Sequence, residues 1–261
     1  ADNMASCKTW FHLQRDDITL PDTTHACQAN GLSPGVPLVV VNNGLVRFGE
    51  TVIFSGLNWQ VDPGQHWKIV GPNGSGKTCL LTLITGDNPN CYTNDLTVFG
   101  IRRGSGESIW DIKQHIGLLS NAFHLSYRVN CSVMDVLLSG FFDSIGLYER
   151  PGRDQRAVAS AWLDTLHMQA RKEAPFQSLS FGDQRLVLVA RAMIKHPPLL
   201  ILDEPCNGLD PINRFAVLAL IEQLARDGRT TVLYVSHHKE DAIPSIRRTL
   251  SMADYSTDIK K

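Results

Sequence analysis

The segment Gly71-Pro72-Asn73-Gly74-Ser75-Gly76-Lys77-Thr78 decides the fold. It fits the pattern G-x-x-x-x-G-K-[ST], and it lies between a candidate strand at 66–70 and a candidate helix at 79–84 that stops at Gly86. A glycine-rich turn that fits the pattern by chance is the alternative, and the strand-to-helix context argues against it. The segment therefore predicts a phosphate-binding loop.

The residues of this loop have the chemistry that a nucleoside triphosphate requires. Its glycines let backbone N–H groups turn toward phosphates, and the N-terminus of the following helix adds partial positive charge. Lys77 can reach the β- and γ-phosphates, and the hydroxyl of Thr78 can ligate Mg²⁺. ATP with Mg²⁺ is therefore the predicted ligand.

Two carboxylates follow a strand that is apolar on both faces. Residues 199–202 read Leu-Leu-Ile-Leu, which is typical of a central parallel strand, and Asp203 and Glu204 come next. In a doubly wound α/β sheet this strand end lies beside the phosphate-binding loop. We expect Asp203 to hold Mg²⁺, directly or through water, and Glu204, on the opposite pleat, to act as general base. Acidic residues that merely end a strand are the alternative.

Three further positions have both a structural and a functional interpretation. His237 follows a candidate strand at 230–235 and reaches the same sheet edge, although a lone histidine is more often structural. Asp210 precedes Pro211 and can cap the helix that begins there. Ser180 or Asp183 can cap the next helix upstream, which ends before Pro197.

The chain divides into an extension at 1–37 and one domain at 38–261. The extension has prolines and small polar residues without a sustained period, which is typical of a linker. Candidate strands at 38–41, 45–48 and 57–61 predict an antiparallel β-rich edge up to about Gly100. Residues from Ser132 to about Met168 show helical periodicity and no strand candidate, and we predict an α-helical subdomain from about Ser126 to about Ser178 beside the α/β core.

Composition limits the choice of partner and compartment. The 25 Lys and Arg residues nearly balance the 26 Asp and Glu residues, so nothing global indicates a nucleic-acid-binding surface. Six cysteines are scattered without a Cys-x-x-Cys pair, which is typical of free thiols, and we expect a cytoplasmic location. No apolar run approaches the roughly 18 residues that span a bilayer. A membrane role would require a partner subunit.

From about Leu38 onward the chain resembles the ABC (ATP-binding cassette) ATPase family. The resemblance rests on the order of the motifs: the P-loop, the helical insert, the turn LSFGD at 179–183, the strand that ends in Asp203-Glu204, and the strand before His237. It implies an ATP hydrolase. The LSFGD turn corresponds to the family's signature motif, which completes the ATP site of a second cassette.

The resemblance also implies a role for each matching residue. It implies that nucleotide is bound by Phe48, which stacks on adenine, by Gly71, Pro72, Asn73, Gly74, Ser75, Gly76, Lys77, Thr78 and Cys79, and by Asn121, Ser180, Gly182, Asp203 and Asp210. Of these, Ser180 and Gly182 would complete the ATP site of the second cassette, and Asp210 would lie at the interface between the cassettes. The resemblance also implies that Thr78, Asp203 and Asn121 hold Mg²⁺, and that Glu204, Lys77 and His237, the switch histidine, are catalytic.

Two motifs depart from the family pattern. Asn121 stands where a glutamine is expected after the strand at 116–119, so its shorter side chain reaches Mg²⁺ or the attacking water less well. The signature has Phe181 for its first glycine and Asp183 for its glutamine. An acidic group near a γ-phosphate is unfavourable, so a site that uses this signature is slow unless Asp183 turns away. These departures concern turnover rather than ATP binding.

Further stretches resemble the second cassette of a tandem-cassette group associated with molybdenum transport and with photorepair, namely 57–64, 85–90, 94–117, 138–147 and 176–185. In that group two cassettes share one polypeptide, which implies that residues 1–37 are the tail of a preceding cassette plus a linker. A membrane subunit at the inner face of the membrane is then a possible partner. Three functions stay open: an ATP-driven engine with a second cassette, a nucleic-acid-associated ATPase that uses Arg102-Arg103, and a regulatory nucleotide-binding module with little turnover.

Overall fold

The computed structural model describes residues 18–21, 35–237 and 241–256, and these contain two sheets with helices around them. The strands are β1 (Val39–Phe48), β2 (Thr51–Val61), β3 (Trp67–Val70), β4 (Asp95–Val98), β5 (Ile101–Arg102), β6 (Ile116–Leu119), β7 (Leu199–Asp203), β8 (Thr231–Val235) and β9 (Arg248–Ser251). The α-helices are α1 (Lys77–Thr85), α2 (Ile109–Lys113), α3 (Asn121–Ser126), α4 (Val133–Ser139), α5 (Arg153–Thr165), α6 (Phe181–Met193) and α7 (Pro211–Asp227).

A five-stranded parallel sheet forms the centre of the molecule, with the strand order β6-β7-β8-β3-β9. β7 lies between β6 and β8, and its four apolar residues are fully buried, so the predicted central parallel strand is confirmed. Leu200 and Leu202 belong to one hydrophobic cluster, whereas Leu199 and Ile201 belong to the other. A strand that is covered on both faces needs this continuous apolar pattern.

The predicted antiparallel edge is a four-stranded sheet with the order β2-β1-β4-β5. Its strands are longer than expected, because 38–41 and 45–48 belong to one strand, β1, and β2 begins at Thr51 rather than near residue 57. The register between β1 and β2 shifts after Val41 and again after Gly44. Asn43, in a left-handed conformation, donates its N–H to Asn58 Oδ1 at 2.9 Å. These shifts absorb the Asn-Asn-Gly sequence that looked like a strand end.

The region between α3 and α6 is helical, as the fold prediction requires. It contains α4, α5 and short 3₁₀ turns, and its only extended pairing is an isolated bridge between Ser132 and Pro175, all within the continuously described stretch 35–237. Trp162 and Tyr127 are almost completely buried and anchor the hydrophobic cluster that this region shares with α6 and α7. β9 and the short helix α2 were not predicted.

Most of the predicted extension at 1–37 lies outside the described residues, so its assignment as linker and preceding-cassette tail stays a prediction. In the described piece at 18–21, Ile18 is buried in the cluster of the helical region, and Thr19 accepts a 2.9 Å hydrogen bond on its carbonyl from Thr165 Oγ1. Within the described residues, no helix has the length and apolar character that crossing a membrane requires.

Candidate nucleotide site

The loop between β3 and α1 is shaped by glycines that no other residue can replace without strain. Gly76 has φ +91°, and a Cβ placed on it would lie 2.8 Å from Phe54 Cδ1. A Cβ on Gly71 would lie 2.5 Å from Ser75 Oγ, which is buried and has no hydrogen-bond partner. A buried hydroxyl without a partner at a helix N-terminus fits a phosphate-binding cradle. The rim of this cradle is exposed at Pro72, Asn73 and Gly74.

Lys77 is the first residue of α1, and its side chain binds back to the start of the loop. Its ammonium group donates to the carbonyl oxygens of Gly71 at 2.8 Å and of Pro72 at 3.0 Å, and the residue is only 7% exposed. The positive charge therefore lies inside the curve of the loop, where phosphate oxygens would be neutralised. Cys79, in the first turn of α1, is half-buried, and burial raises the pKa of its thiol.

Thr78 and Asp203 meet across the sheet edge. Thr78 Oγ1 donates to Asp203 Oδ2 at 3.3 Å, and both residues line a cavity of ≈360 Å³ that Ser120, Asn121 and Glu204 also line. Burial, and then the neighbouring charge of Glu204, raise the pKa of Asp203 above its usual range. A cation at this position would offset both effects.

This donor set fits Mg²⁺ held together with a nucleotide. Among the described residues no group of three His, Cys, Asp or Glu side chains is placed to hold a metal ion alone. Mg²⁺ does not require such a cage, because in phosphate sites it takes one or two protein groups and completes its shell with phosphate and water oxygens. The hydroxyl of Thr78 and the carboxylate of Asp203 supply those groups.

Glu204 and His237 are in direct contact. His237 Nδ1 lies 3.0 Å from Glu204 Oε1, and Asn207 Nδ2 donates to the other carboxylate oxygen at 3.3 Å. Glu204 leaves the strand in a left-handed conformation, φ +51°, and its N–H still donates to Val235 O at 3.0 Å. The expectation of a simple opposite pleat was therefore wrong in detail. The chain turns at Glu204, and this turn directs the side chain to His237.

A buried polar network below His237 was missed by sequence reasoning. Asp241, whose side chain is 1% exposed, accepts hydrogen bonds from Tyr234 Oη at 2.8 Å, from Arg214 Nε at 2.8 Å and from Ser236 Oγ. Burial alone would raise the pKa of Asp241, but the hydrogen bonds from Ser236, Tyr234 and Arg214 outweigh burial and lower it. No motif in the sequence links these positions, so only the fold reveals the network.

The signature turn starts α6 and lies outside the cavity lining. Ser180 caps this helix by accepting from Asp183 N at 3.1 Å, which confirms that it can serve as a helix cap. The carboxylate of Asp183 is buried and pairs with Arg171 Nη1 at 2.9 Å, so it is turned inward. The ring of Phe181 is 44% exposed.

Gly182 and Asp210 bring α6 and α7 close together. A Cβ on Gly182 would lie 2.2 Å from Asn213 Cγ, so only glycine fits at this approach. Asp210 caps α7 by accepting from the backbone N–H groups of Ile212 and Asn213, each at 3.0 Å. These hydrogen bonds, that from Asn213 first, lower the pKa of Asp210. The cap interpretation of Asp210 is therefore correct, and it leaves a role at an interface open.

Asn121, Phe48 and the Arg102-Arg103 pair complete the predicted set. Asn121 lines the cavity, and its Oδ1 accepts a hydrogen bond from Arg185 Nη2. Phe48 lies at the end of β1 with 51% of its surface exposed, outside the cavity lining. The side chain of Arg103 is fully buried against Glu107 at 3.2 Å, and only Arg102 is exposed. The two arginines therefore do not form one basic surface.

The comparisons with known proteins agree with this geometry. Residues 54–207 match the family model described as "ABC transporter". The ABC transporter ATP-binding protein ModF of Escherichia coli is 50% identical over 91% of this chain and 49% of ModF, so the chain spans about half the length of that relative. The molybdate import ATP-binding protein MolC of Haemophilus influenzae is 30% identical over 82% of the chain and 78% of MolC. A crystal structure of the ADP conformation of an ATP-binding cassette superposes with a TM-score of 0.68 at 21% identity, over 83% of this chain and 87% of that one.

Proposed function

The chain belongs to the ABC transporter ATP-binding family, whose cassettes are ATPases, and from this premise we propose that it hydrolyses Mg²⁺-ATP as one of two cassettes in a conformational cycle. The observation that carries the proposal is the contact of Glu204 with His237 beside the Thr78–Asp203 pair, at the mouth of the glycine-rich loop. A carboxylate, a histidine, a hydroxyl and an ammonium group thus converge where a γ-phosphate would lie.

Each residue of the site has a defined task in this proposal. Lys77 neutralises phosphate charge. Glu204 takes the proton of the attacking water, and His237 fixes the orientation of the Glu204 carboxylate. Bound Mg²⁺, held through Thr78 and Asp203, would neutralise charge that develops on the β- and γ-phosphates. The exposed ring of Phe48 is a platform on which adenine can stack.

The second cassette is proposed because the signature residues lie elsewhere. Ser180 and Gly182 are absent from the lining of the cavity that Thr78, Asp203 and Glu204 form. A signature turn from another cassette would supply the missing donors to the γ-phosphate. The length of ModF, about twice the matched region, leaves room for a second cassette in the same polypeptide. We propose that this cassette precedes the present one and that residues 1–37 connect the two.

We propose that the cycle serves transport, with molybdate as the substrate class and a membrane subunit as a further partner. MolC, named as a molybdate import protein, supports this assignment. Use of ATP and the free thiols of the described cysteines fit the cytoplasmic side of the membrane. A repair-type role on nucleic acid is less well supported, because Arg103 is buried.

A regulatory module with little turnover is the second candidate, and the exposed ring of Phe181 in the signature turn favours it, because this ring would hinder closure on a second cassette. ATP hydrolysis separates the two candidates. The rate is measured for the chain alone and for the chain joined to its preceding cassette. An engine requires strong stimulation by the joined cassette. A regulatory module predicts Mg²⁺-ATP binding with equally low turnover in both proteins.

A further inference from the structure

The amide of Asn121 has an orientation that chemistry dictates. Its oxygen accepts a hydrogen bond from Arg185 Nη2. A guanidinium group has donors only, so the atom of Asn121 that faces it must be the oxygen rather than the nitrogen. The amide nitrogen, which has two donor hydrogens, is then available to groups in the cavity that Asn121 lines with Thr78 and Asp203.

Arg185 has few other polar partners. The residue is 1% exposed, and its Nε and Nη1 atoms are buried without a hydrogen-bond partner. Burial disfavours the charged form of Arg185 and lowers its pKa. Since a buried guanidinium needs its acceptors, the hydrogen bond to Asn121 is costly to break.

A series of three contacts links Arg185, in the first turns of α6, to His124 of α3. The guanidinium lies over the ring of Phe181, with its Cζ 5.3 Å from the ring centroid. Phe181 in turn stacks on His124 at 4.6 Å between centroids, with 15° between the planes. His124 Nε2 lies 2.8 Å from Gln184 Oε1. Phe181, which replaces a glycine of the signature pattern, thus helps to fix the residue that binds Asn121.

We infer that Arg185 is a positioning residue that acts through Asn121: it holds the amide oxygen, so that Asn121 presents its NH₂ group to the phosphate or the attacking water and does not ligate Mg²⁺. The inference rests on the proposed ATPase function. Mg²⁺ takes oxygen ligands, and the oxygen of Asn121 already accepts a hydrogen bond from a cation, whose charge repels a second cation at the same atom.

This arrangement gives a role to Asn121 and Phe181, two of the three residues that depart from the family pattern. Asn121 is a donor in the site rather than a shortened metal ligand. Phe181 belongs to the support of that donor, so the signature turn and the nucleotide cavity of one chain are linked through Arg185. A change in the position of Phe181 would therefore reach Asn121 without any contact of Phe181 with the nucleotide.

The test uses three variants of the full chain. Asn121→Asp removes the NH₂ group and leaves a carboxylate that remains paired with Arg185 if the inference holds, and that ligates the metal if Arg185 does not hold this position. Arg185→Met removes the donors of Arg185 at similar length, and Arg185→Gln restores one amide donor. Turnover and the KM for ATP are measured for each variant. The affinity for Mn²⁺ is measured by electron paramagnetic resonance in the presence of a non-hydrolysable ATP analogue. Lys172→Ala, at an exposed position, is the control.

Asn121→Asp and Arg185→Met should each lower kcat about tenfold, the effect of one hydrogen bond, with KM within about twofold. Arg185→Gln should recover part of the loss, and the double variant should be no slower than the slower single variant, because both act at one contact. The Mn²⁺ affinity of Asn121→Asp should equal that of the wild type. Tighter Mn²⁺ binding by Asn121→Asp would overturn the inference, and so would an unchanged kcat in Arg185→Met.

This test can fail independently of the test of the proposed function. A wild-type chain that binds but never hydrolyses ATP contradicts the ATPase proposal, and the Mn²⁺ titration of Asn121→Asp still decides whether Asn121 is a metal ligand. If Arg185→Met fails to fold, Asn121→Asp and Arg185→Gln carry the decision, since Asn121 lies at the cavity surface.

Discussion

The side chain of Lys77 both holds the shape of the loop and carries a positive charge. Replacement by alanine removes its hydrogen bonds to Gly71 O and Pro72 O, and it also removes the charge that would neutralise the phosphates. We expect Lys77→Ala to weaken Mg²⁺-ATP binding by about 1.5 to 3 kcal/mol, the range for hydrogen bonds to charged groups. Titration calorimetry measures this directly, with the exposed Lys172→Ala as control. An unchanged affinity would remove the glycine-rich loop from the site.

Glu204 is the residue on which the proposed chemistry depends. Glu204→Gln keeps the shape and the hydrogen-bonding capacity toward Asn207 but cannot accept a proton from water. Nucleotide binding should persist while kcat falls about 10²- to 10⁴-fold, the usual contribution of general-base catalysis. Single-turnover kinetics with saturating ATP gives the measurement. If turnover is retained, His237, which touches Glu204, becomes the next candidate base.

At the residue scale, the sequence predicts the positions that chemistry fixes. Lys77, Thr78, Asp203 and Glu204 lie in local patterns whose spacing a site requires, and the structure places them around one loop and one cavity. Arg185 and Asp241 escape such reasoning. Arg185 binds Asn121, which is 64 residues away in the chain, and Asp241 binds Arg214, which is 27 residues away. No local pattern indicates those contacts.

The network around Asp241 joins three elements, because Arg214 comes from α7, Tyr234 from β8, and Lys68 Nζ of β3 donates to the Asp241 carbonyl at 2.9 Å. Since the pKa of Asp241 is lowered by folding, its contribution to stability is present above the pKa that it has in the unfolded chain. That contribution is lost as the pH falls through the folded-state pKa.

Asp241→Asn should therefore lower the free energy of unfolding at neutral pH, by about 3 to 5 kcal/mol, because Arg214 is left without its buried counter-charge. The variant should also lose less stability than the wild type when the pH is lowered toward about 3. Urea unfolding at a series of pH values measures both effects, and exposed Asp164→Asn is the matched control. Parallel pH profiles for Asp241→Asn and the wild type would contradict this account.

At the element scale, strands that are buried on both faces were the easiest to predict. Nearly continuous apolar runs indicate β7 and β8 in the sequence. The sequence of β9 is Arg-Thr-Leu-Ser, and only Leu250 in it is buried. An edge strand needs one apolar side chain and a neighbouring strand, so its sequence carries little signal. The division of β1 into two predicted strands has the same origin, because a bulge and a turn share the residues Asn and Gly.

At the scale of the whole molecule, the surface around the signature turn at 179–183 determines whether another cassette can pack there. Asp183 is buried against Arg171, so its charge is removed from the surface. The ring of Phe181 remains 44% exposed, where the family pattern has a glycine. Ile212 and Phe215 of α7 are also partly exposed, at 38% and 49%. We therefore expect the steric bulk of Phe181, rather than the charge of Asp183, to hinder the approach of a second copy of this chain.

The isolated chain should consequently bind Mg²⁺-ATP, hydrolyse it slowly and fail to form a tight ATP-dependent homodimer. Without a fitting signature turn from another cassette, the γ-phosphate lacks donors and stays open to water, so little transition-state stabilisation develops. Light scattering of the Glu204→Gln variant with ATP tests this, because blocked hydrolysis would trap any closed dimer. Phe181→Gly in that background should increase self-association if the ring alone obstructs it, whereas Asp183→Gln should not, since Asp183 is turned inward. A stable homodimer of the Glu204→Gln chain, together with fast turnover by the wild type, would show that this cassette works without a different partner.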